Sequence, residues 1–170
     1  MTLDAAADGV IRRTDDGYEI VFVRRLKRPI GKVWTALTVP ERIADWLAAA
    51  TIEPDLRLGA KLSLRFSEGD YRMAGEIIAL DPPRLIAWTW PDRVGQPNPS
   101  VVRFELEPDG GGCVLTLRNS GHGLPEPGQM AGWHTHLEGL EGSADGVFTA
   151  WDRVVEAAHE ARYRDAIARL

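Results

Sequence analysis

Cysteine occurs once, at Cys113, and that scarcity excludes an internal disulfide and with it a stapled secreted scaffold. The residue sits within an alternating apolar segment, so a buried thiol is expected rather than a reactive one. No window approaches the roughly 18 consecutive apolar residues of a membrane-spanning helix. Residues 1–13 contain Asp4 and Asp8 and no apolar run, which predicts neither a signal peptide nor an anchor, and a cytoplasmic protein is expected. Internal repeats and low-complexity tracts are missing. So is an excess of positive charge, because 20 Lys and Arg are scattered among 25 Asp and Glu for a net charge of -5. Nucleic acid and anionic membranes are disfavoured as partners, since both draw their affinity from clustered cations.

What is present is a chain of 170 residues with 44% hydrophobic content, enough for one domain with a sizeable core. Residues 1–15 read as a flexible polar leader and 16–170 as a single domain. A strand covers 18–26, with Ile20, Val21, Phe22 and Val23 at its centre. Ile30, Val33, Trp34 and Leu37 then follow at i, i+3, i+4 and i+7, a helical stripe that makes Trp34 a core residue. Pro40 ends this helix and opens a second short one through Ile43, Trp46 and Leu47.

Alternation takes over next. Leu62, Leu64 and Phe66 alternate with charged and polar residues, and Tyr71, Met73, Gly75 and Ile77 lie opposite Arg72 and Glu76. Ile86, Trp88 and Trp90 share a face, as do Val102, Phe104 and Leu106. The run Asp109 to Gly112 signals a hairpin whose return strand turns Cys113, Leu115 and Leu117 inward. Such a pattern predicts an antiparallel sheet with one wet face, and the apolar face needs a cover. Met130, Trp133, Leu137 and Leu140 supply one at helical spacing. A further helix is expected over 147–167, docked through Trp151, Val154 and Val155, with a break at 142–146. The fold class is α+β.

Four segments together resemble one family. Residues 29–46, opening Pro-Ile-Gly-Lys-Val-Trp, are similar to the start of the START-like (SRPBCC) superfamily. Within it they resemble the branch of activators of the ninety-kilodalton heat-shock chaperone's ATPase. Residues 81–90 match that branch's turn and strand, and 115–121 with 132–140 match its last strand and closing helix. Together the four segments span about 18–142. The resemblance implies a helix-grip fold: a curved antiparallel sheet of about six to seven strands wrapped around a long C-terminal helix. It also implies two short helices after the first strand, and an apolar cavity between sheet and helix. No catalytic residue comes with it. Asn119 departs from the branch, which often has His there, and the tail beyond 142 is longer than the matched segments require.

The chemistry expected of the chain is therefore binding. Residues expected to line the cavity are Trp46, Phe66, Met73, Trp88, Trp90, Phe104, Leu106, Leu117, Asn119, Trp133, His136 and Leu137. Ser120 and His122 lie in a glycine-rich loop without an orienting acid or a strained elbow, so no nucleophile is assigned. His134 and His136 are two apart on a helix, point different ways and cannot share a metal, and His134 is expected at a solvated or packed edge. No metal and no cofactor are expected. Gly110–Gly112 lacks the Lys and Ser/Thr of a phosphate loop. The expected function is a small-molecule binding protein for a hydrophobic or aromatic ligand of lipid- or polyketide-like character, monomeric or homodimeric, and not an enzyme. The alternatives are a chaperone-interacting protein, implied by the resemblance alone, and a cyclase or isomerase acting on a hydrophobic ligand.

Overall fold

The computed structural model describes residues 8–67 and 70–170. In chain order the elements are β1 (Val10–Thr14), β2 (Gly17–Leu26), α1 (Ile30–Thr38), α2 (Pro40–Ile43), β3 (Ala49–Glu53), β4 (Lys61–Arg65), β5 (Arg72–Asp81), β6 (Leu85–Trp90), β7 (Ser100–Asp109), β8 (Gly112–Gly121), α3 (Pro127–Ser143) and α4 (Arg153–Ile167). All strand pairs are antiparallel and form one sheet in the order β1-β2-β8-β7-β6-β5-β4-β3.

Eight strands stand where six to seven were expected. One addition corrects the expected leader. Residues 1–7 lie outside the described residues, but Val10–Thr14 is a strand, with Val10 opposite Val21 and Thr14 opposite Gly17 across the two-residue turn Asp15-Asp16. Its tip is tied down as well, because the Gly9 N–H donates to Tyr163 Oη at 2.8 Å. The other addition, β3, is alanine-rich and half-exposed, and its pairing with β4 supplies order that its propensity does not.

Register gathers the inward residues into rows across the sheet. Phe22, Leu117, Phe104 and Ile86 form one row, and Ile20, Asn119, Val102, Trp88 and Ile77 form the next. α1 buries Val33, Ala36 and Leu37, while Trp34, expected in the core, is half-buried at its edge. α3 is buried on two sides, which is why its apolar periodicity is weak. Trp133 packs edge-on to Phe104 of the sheet, and His134, on the other side, stacks on His159 of α4.

The C-terminal segment differs from the expected single helix in where it starts and what it buries. Gly146 has φ +75°, a left-handed conformation suited to glycine, and residues 147–152 run on as an irregular strap. The strap is fastened where the Thr149 N–H donates to the Asp45 carbonyl at 2.9 Å. It crosses α3 at Gly139, where a Cβ would stand 3.0 Å from that of Thr149. The helix begins after Asp152, whose side chain accepts from the N–H groups of Val154 and Val155, a helix cap. Val154 is 80% exposed, so it docks nothing, and α4 is held instead through the buried His159 and Tyr163. No helix among the described residues is long and apolar enough to cross a membrane.

Candidate ligand pocket

One end of the sheet is left unfilled. Between the β4–β5 end, the β6–β7 loop, the end of β8 and the first turns of α3 lies a pocket of about 1240 Å³. The strap closes one side, bringing Phe148, Thr149 and Trp151 to the wall. Of the residues expected to line a cavity, Trp46, Phe66, Trp90, Asn119, Trp133 and His136 stand at its wall.

Six other expected lining residues do not reach the pocket. Met73, Trp88, Phe104, Leu106, Leu117 and Leu137 are at most 2% exposed and belong to the solid core beneath or beside it. Alternation gives the face of a strand, not the depth along it. Trp88 and Trp90 share a face, yet Trp88 packs against Phe104 at 5.3 Å while Trp90, two residues nearer the open end, forms wall with Phe66 and Trp133.

Asn119 is the polar hub. Its Oδ1 accepts from Gln129 Nε2 at 3.0 Å and from Trp133 Nε1 at 3.1 Å, and its Nδ2 donates to the Val101 carbonyl at 3.2 Å. A carboxamide serves here as both acceptor and donor, which explains how a buried polar group is tolerated at this row of the sheet. His136 is fixed differently. Its Nδ1 lies 3.0 Å from the Trp46 carbonyl, and its ring packs against Phe66 at 5.8 Å and Trp151 at 4.4 Å. Burial pushes its pKa down to about 4, against a smaller upward pull from the Trp46 carbonyl, so the imidazole is neutral at pH 7.

Sequence reasoning passed over Tyr71, Gln129 and Phe148 and assigned Trp151 to helix docking. Tyr71 accepts from Trp90 Nε1 at 3.1 Å at the pocket mouth. Phe148 and Trp151 lie on the strap, which has no periodicity to read; two aromatics in a short glycine- and alanine-flanked segment were the available cue. His122 is in an exposed loop at the rim, where its Nε2 donates to the Asn98 carbonyl at 2.8 Å.

His134 is not at an edge but 3% exposed. With Glu138 and His159 it brings three potential metal ligands within 4.8 Å of one another. Their geometry is wrong for coordination. The imidazole rings stack at 3.8 Å with planes 14° apart, so their in-plane lone pairs run side by side instead of converging on one ion. The group is a packing arrangement, closed by His159 Nε2 donating to Glu138 at 3.0 Å and by the 2.7 Å bond between His134 Nδ1 and Tyr163 Oη.

Comparison with known structures places this architecture. CalU16 of Micromonospora echinospora aligns with a TM-score of 0.71 at 23% identity over 95% of this chain and 98% of that one. A protein of Bordetella parapertussis aligns at 0.66 and 27% identity over 95% and 92%. A conserved protein of unknown function from Enterococcus faecalis aligns at 0.77 and 15% identity over 97% and 93%. No curated protein matches the chain. The sequence model of one family matches residues 27–145, most of the chain and every element from α1 to α3, and the protein belongs to that family, the Activator of Hsp90 ATPase homolog 1-like (AHSA1) proteins.

Proposed function

We propose that this is a small-molecule binding protein whose hydrophobic or aromatic ligand occupies the pocket between the sheet, α3 and the strap. The observation that carries the reading is Gly132. It lies on α3 at the pocket wall, and a Cβ built there meets no atom within 4 Å. Glycine in a helix interior costs about 1 kcal/mol relative to alanine, and unfilled volume forfeits dispersion contacts. A fold kept only for stability has simple ways to fill this space with its own side chains. Phe66, Trp90 and Trp133 instead wall it.

Holding a ligand, rather than turning it over, fits the polar groups available. Asn119 is committed to internal bonds, and His122 is committed to a loop carbonyl. A cytoplasmic location accompanies this reading, since the lone Cys113 is a buried free thiol. The chaperone activation in the family's description calls for a protein partner and no open pocket.

Gly132→Leu tests the proposal. Leucine at this position points into open space and suits a helix, so the melting temperature is expected to hold or rise. Binding of the neutral fluorophore Nile red is expected to weaken at least about tenfold, the loss expected when a side chain occupies the ligand's space. Equal dye affinity in the parent and the variant would remove the pocket from the account.

A further inference from the structure

Resting on that reading of the pocket, we propose that its ligand is an uncharged aromatic carrying a hydroxyl group, and that His136 selects it by accepting the hydroxyl's hydrogen bond at Nε2. A backbone carbonyl can only accept, so the Nδ1 that faces the Trp46 carbonyl at 3.0 Å carries the ring hydrogen. In a neutral imidazole the other nitrogen then presents a lone pair. Nε2 has no hydrogen-bond partner among the described residues and is not sealed in the interior, and the ring lines the pocket.

The rest of the wall sharpens the preference. All four pocket tryptophans spend their indole N–H inside the protein: Trp46 on the Ala36 carbonyl at 2.9 Å, Trp90 on Tyr71, Trp133 on Asn119 and Trp151 on Glu156, each at 3.1 Å. Asn119 Oδ1 already accepts two of the available donors. The four indoles therefore withhold their N–H donors while His136 offers an acceptor, and the Tyr71 hydroxyl, which accepts from Trp90, stands at the mouth, so the inner wall suits a ligand that brings its own donor. Anions are opposed by the charges on the wall, where the carboxylates of Asp70, Asp92, Glu126 and Glu156 face the single guanidinium of Arg65. Phe66 and Trp151 both pack against the imidazole, so a planar ring beside it has aromatic neighbours already in place.

The test is displacement of Nile red at pH 7.5 by three probes of one shape: 2-naphthol, 2-methoxynaphthalene and 2-naphthoate. The parent is expected to bind naphthol about tenfold more tightly than its methyl ether, the worth of one hydrogen bond to a buried acceptor, and naphthoate least. His136→Phe keeps an aromatic wall without the acceptor and is expected to erase the difference between naphthol and ether. His136→Gln, which keeps an acceptor, is expected to restore part of it and guards against misreading a folding defect. Equal binding of naphthol and ether by the parent, tightest binding of naphthoate, or a difference that survives His136→Phe would overturn the hydroxyl preference while leaving the pocket as a ligand site. Failure of all three probes and of Nile red itself would overturn the pocket reading, and the preference with it.

Discussion

His134 and His136 stand two residues apart on α3, and the fold treats them as opposites. His134 is sealed between the sheet and α4, edge-on to Phe22 at 5.8 Å, stacked on His159 and bonded to Tyr163. His136 keeps one nitrogen for the Trp46 carbonyl and leaves the other open to the pocket. Both are held neutral, with pKa values pushed down to about 3 for His134 and about 4 for His136, and burial is the largest cause for each. For His134 the neighbouring His159 and Arg24 add to the effect. Similar protonation behaviour thus arises in a filled region and in an unfilled one. What separates the two is where the ring sits: His134 is packed under α4, with its Nε2 3.9 Å from Glu138, whereas the His136 ring lines the pocket.

The largest expected effect tests the shared half of this comparison. Both folded pKa values lie below the usual value of 6.5, so the unfolded chain binds more protons as the pH drops. Stability is whole above pH 6.5 and declines as the pH falls toward 4 for His136 and toward 3 for His134. Each histidine removes about 1.4 kcal/mol per pH unit, or about 2 kcal/mol between pH 6.5 and 5, before most carboxylates titrate. Urea denaturation at pH 7 and pH 5 is expected to show a combined loss of about 4 kcal/mol, roughly halved in His136→Gln. A midpoint that does not move between these pH values would mean that the two rings charge freely in the folded state.

How much of this was legible in the sequence depends on what a pattern encodes. Strands β4 to β8 alternate, so their faces could be read directly; β1 contributes only Val10 and Ile11 to the pattern and depends on pairing with β2. Val154 stood at helical spacing in the tail and is nevertheless exposed, because Gly146 and the Asp152 cap moved the start of α4 to Arg153. The docking residues His159 and Tyr163 are polar types that an apolar stripe does not mark. For the pocket, an inward face was readable at both Trp88 and Trp90, but distance from the open end was not. Depth is set by how far α3 and the strap extend over the sheet, a tertiary quantity with no local periodicity.

A middle-sized effect tests the sealed side. Tyr163→Phe keeps the ring that packs on Phe22 and removes the hydroxyl that accepts from the Gly9 N–H and bonds His134 Nδ1. A buried imidazole nitrogen and a part-buried backbone N–H lose their partner, a loss of about 1–3 kcal/mol. Thermal melts are expected to report that loss, while Nile red affinity stays within twofold because the change is remote from the pocket. A dye affinity that fell with stability would show the two sides of α3 to be coupled.

The smallest effect separates the two histidines directly. Trp151 covers His136 at 4.4 Å from a strap that is independently fastened by the Thr149–Asp45 backbone bond and by the Asp152 cap. Trp151→Ala therefore leaves the strap in place, and the half-buried position limits the stability change to about 1 kcal/mol. It does uncover the imidazole. Burial is the largest cause of the depressed His136 pKa, so admitting water is expected to raise it from about 4 toward 6.5, by roughly one unit. His134 lies on the other side of α3 under α4 and should keep its value. Imidazole proton or carbon shifts followed by NMR titration resolve the two residues. Movement of His136 alone fits one sealed and one pocket-facing ring. Movement of both would mean that α4 loosens with the strap, and movement of neither would mean that Trp151 is not what keeps water from His136.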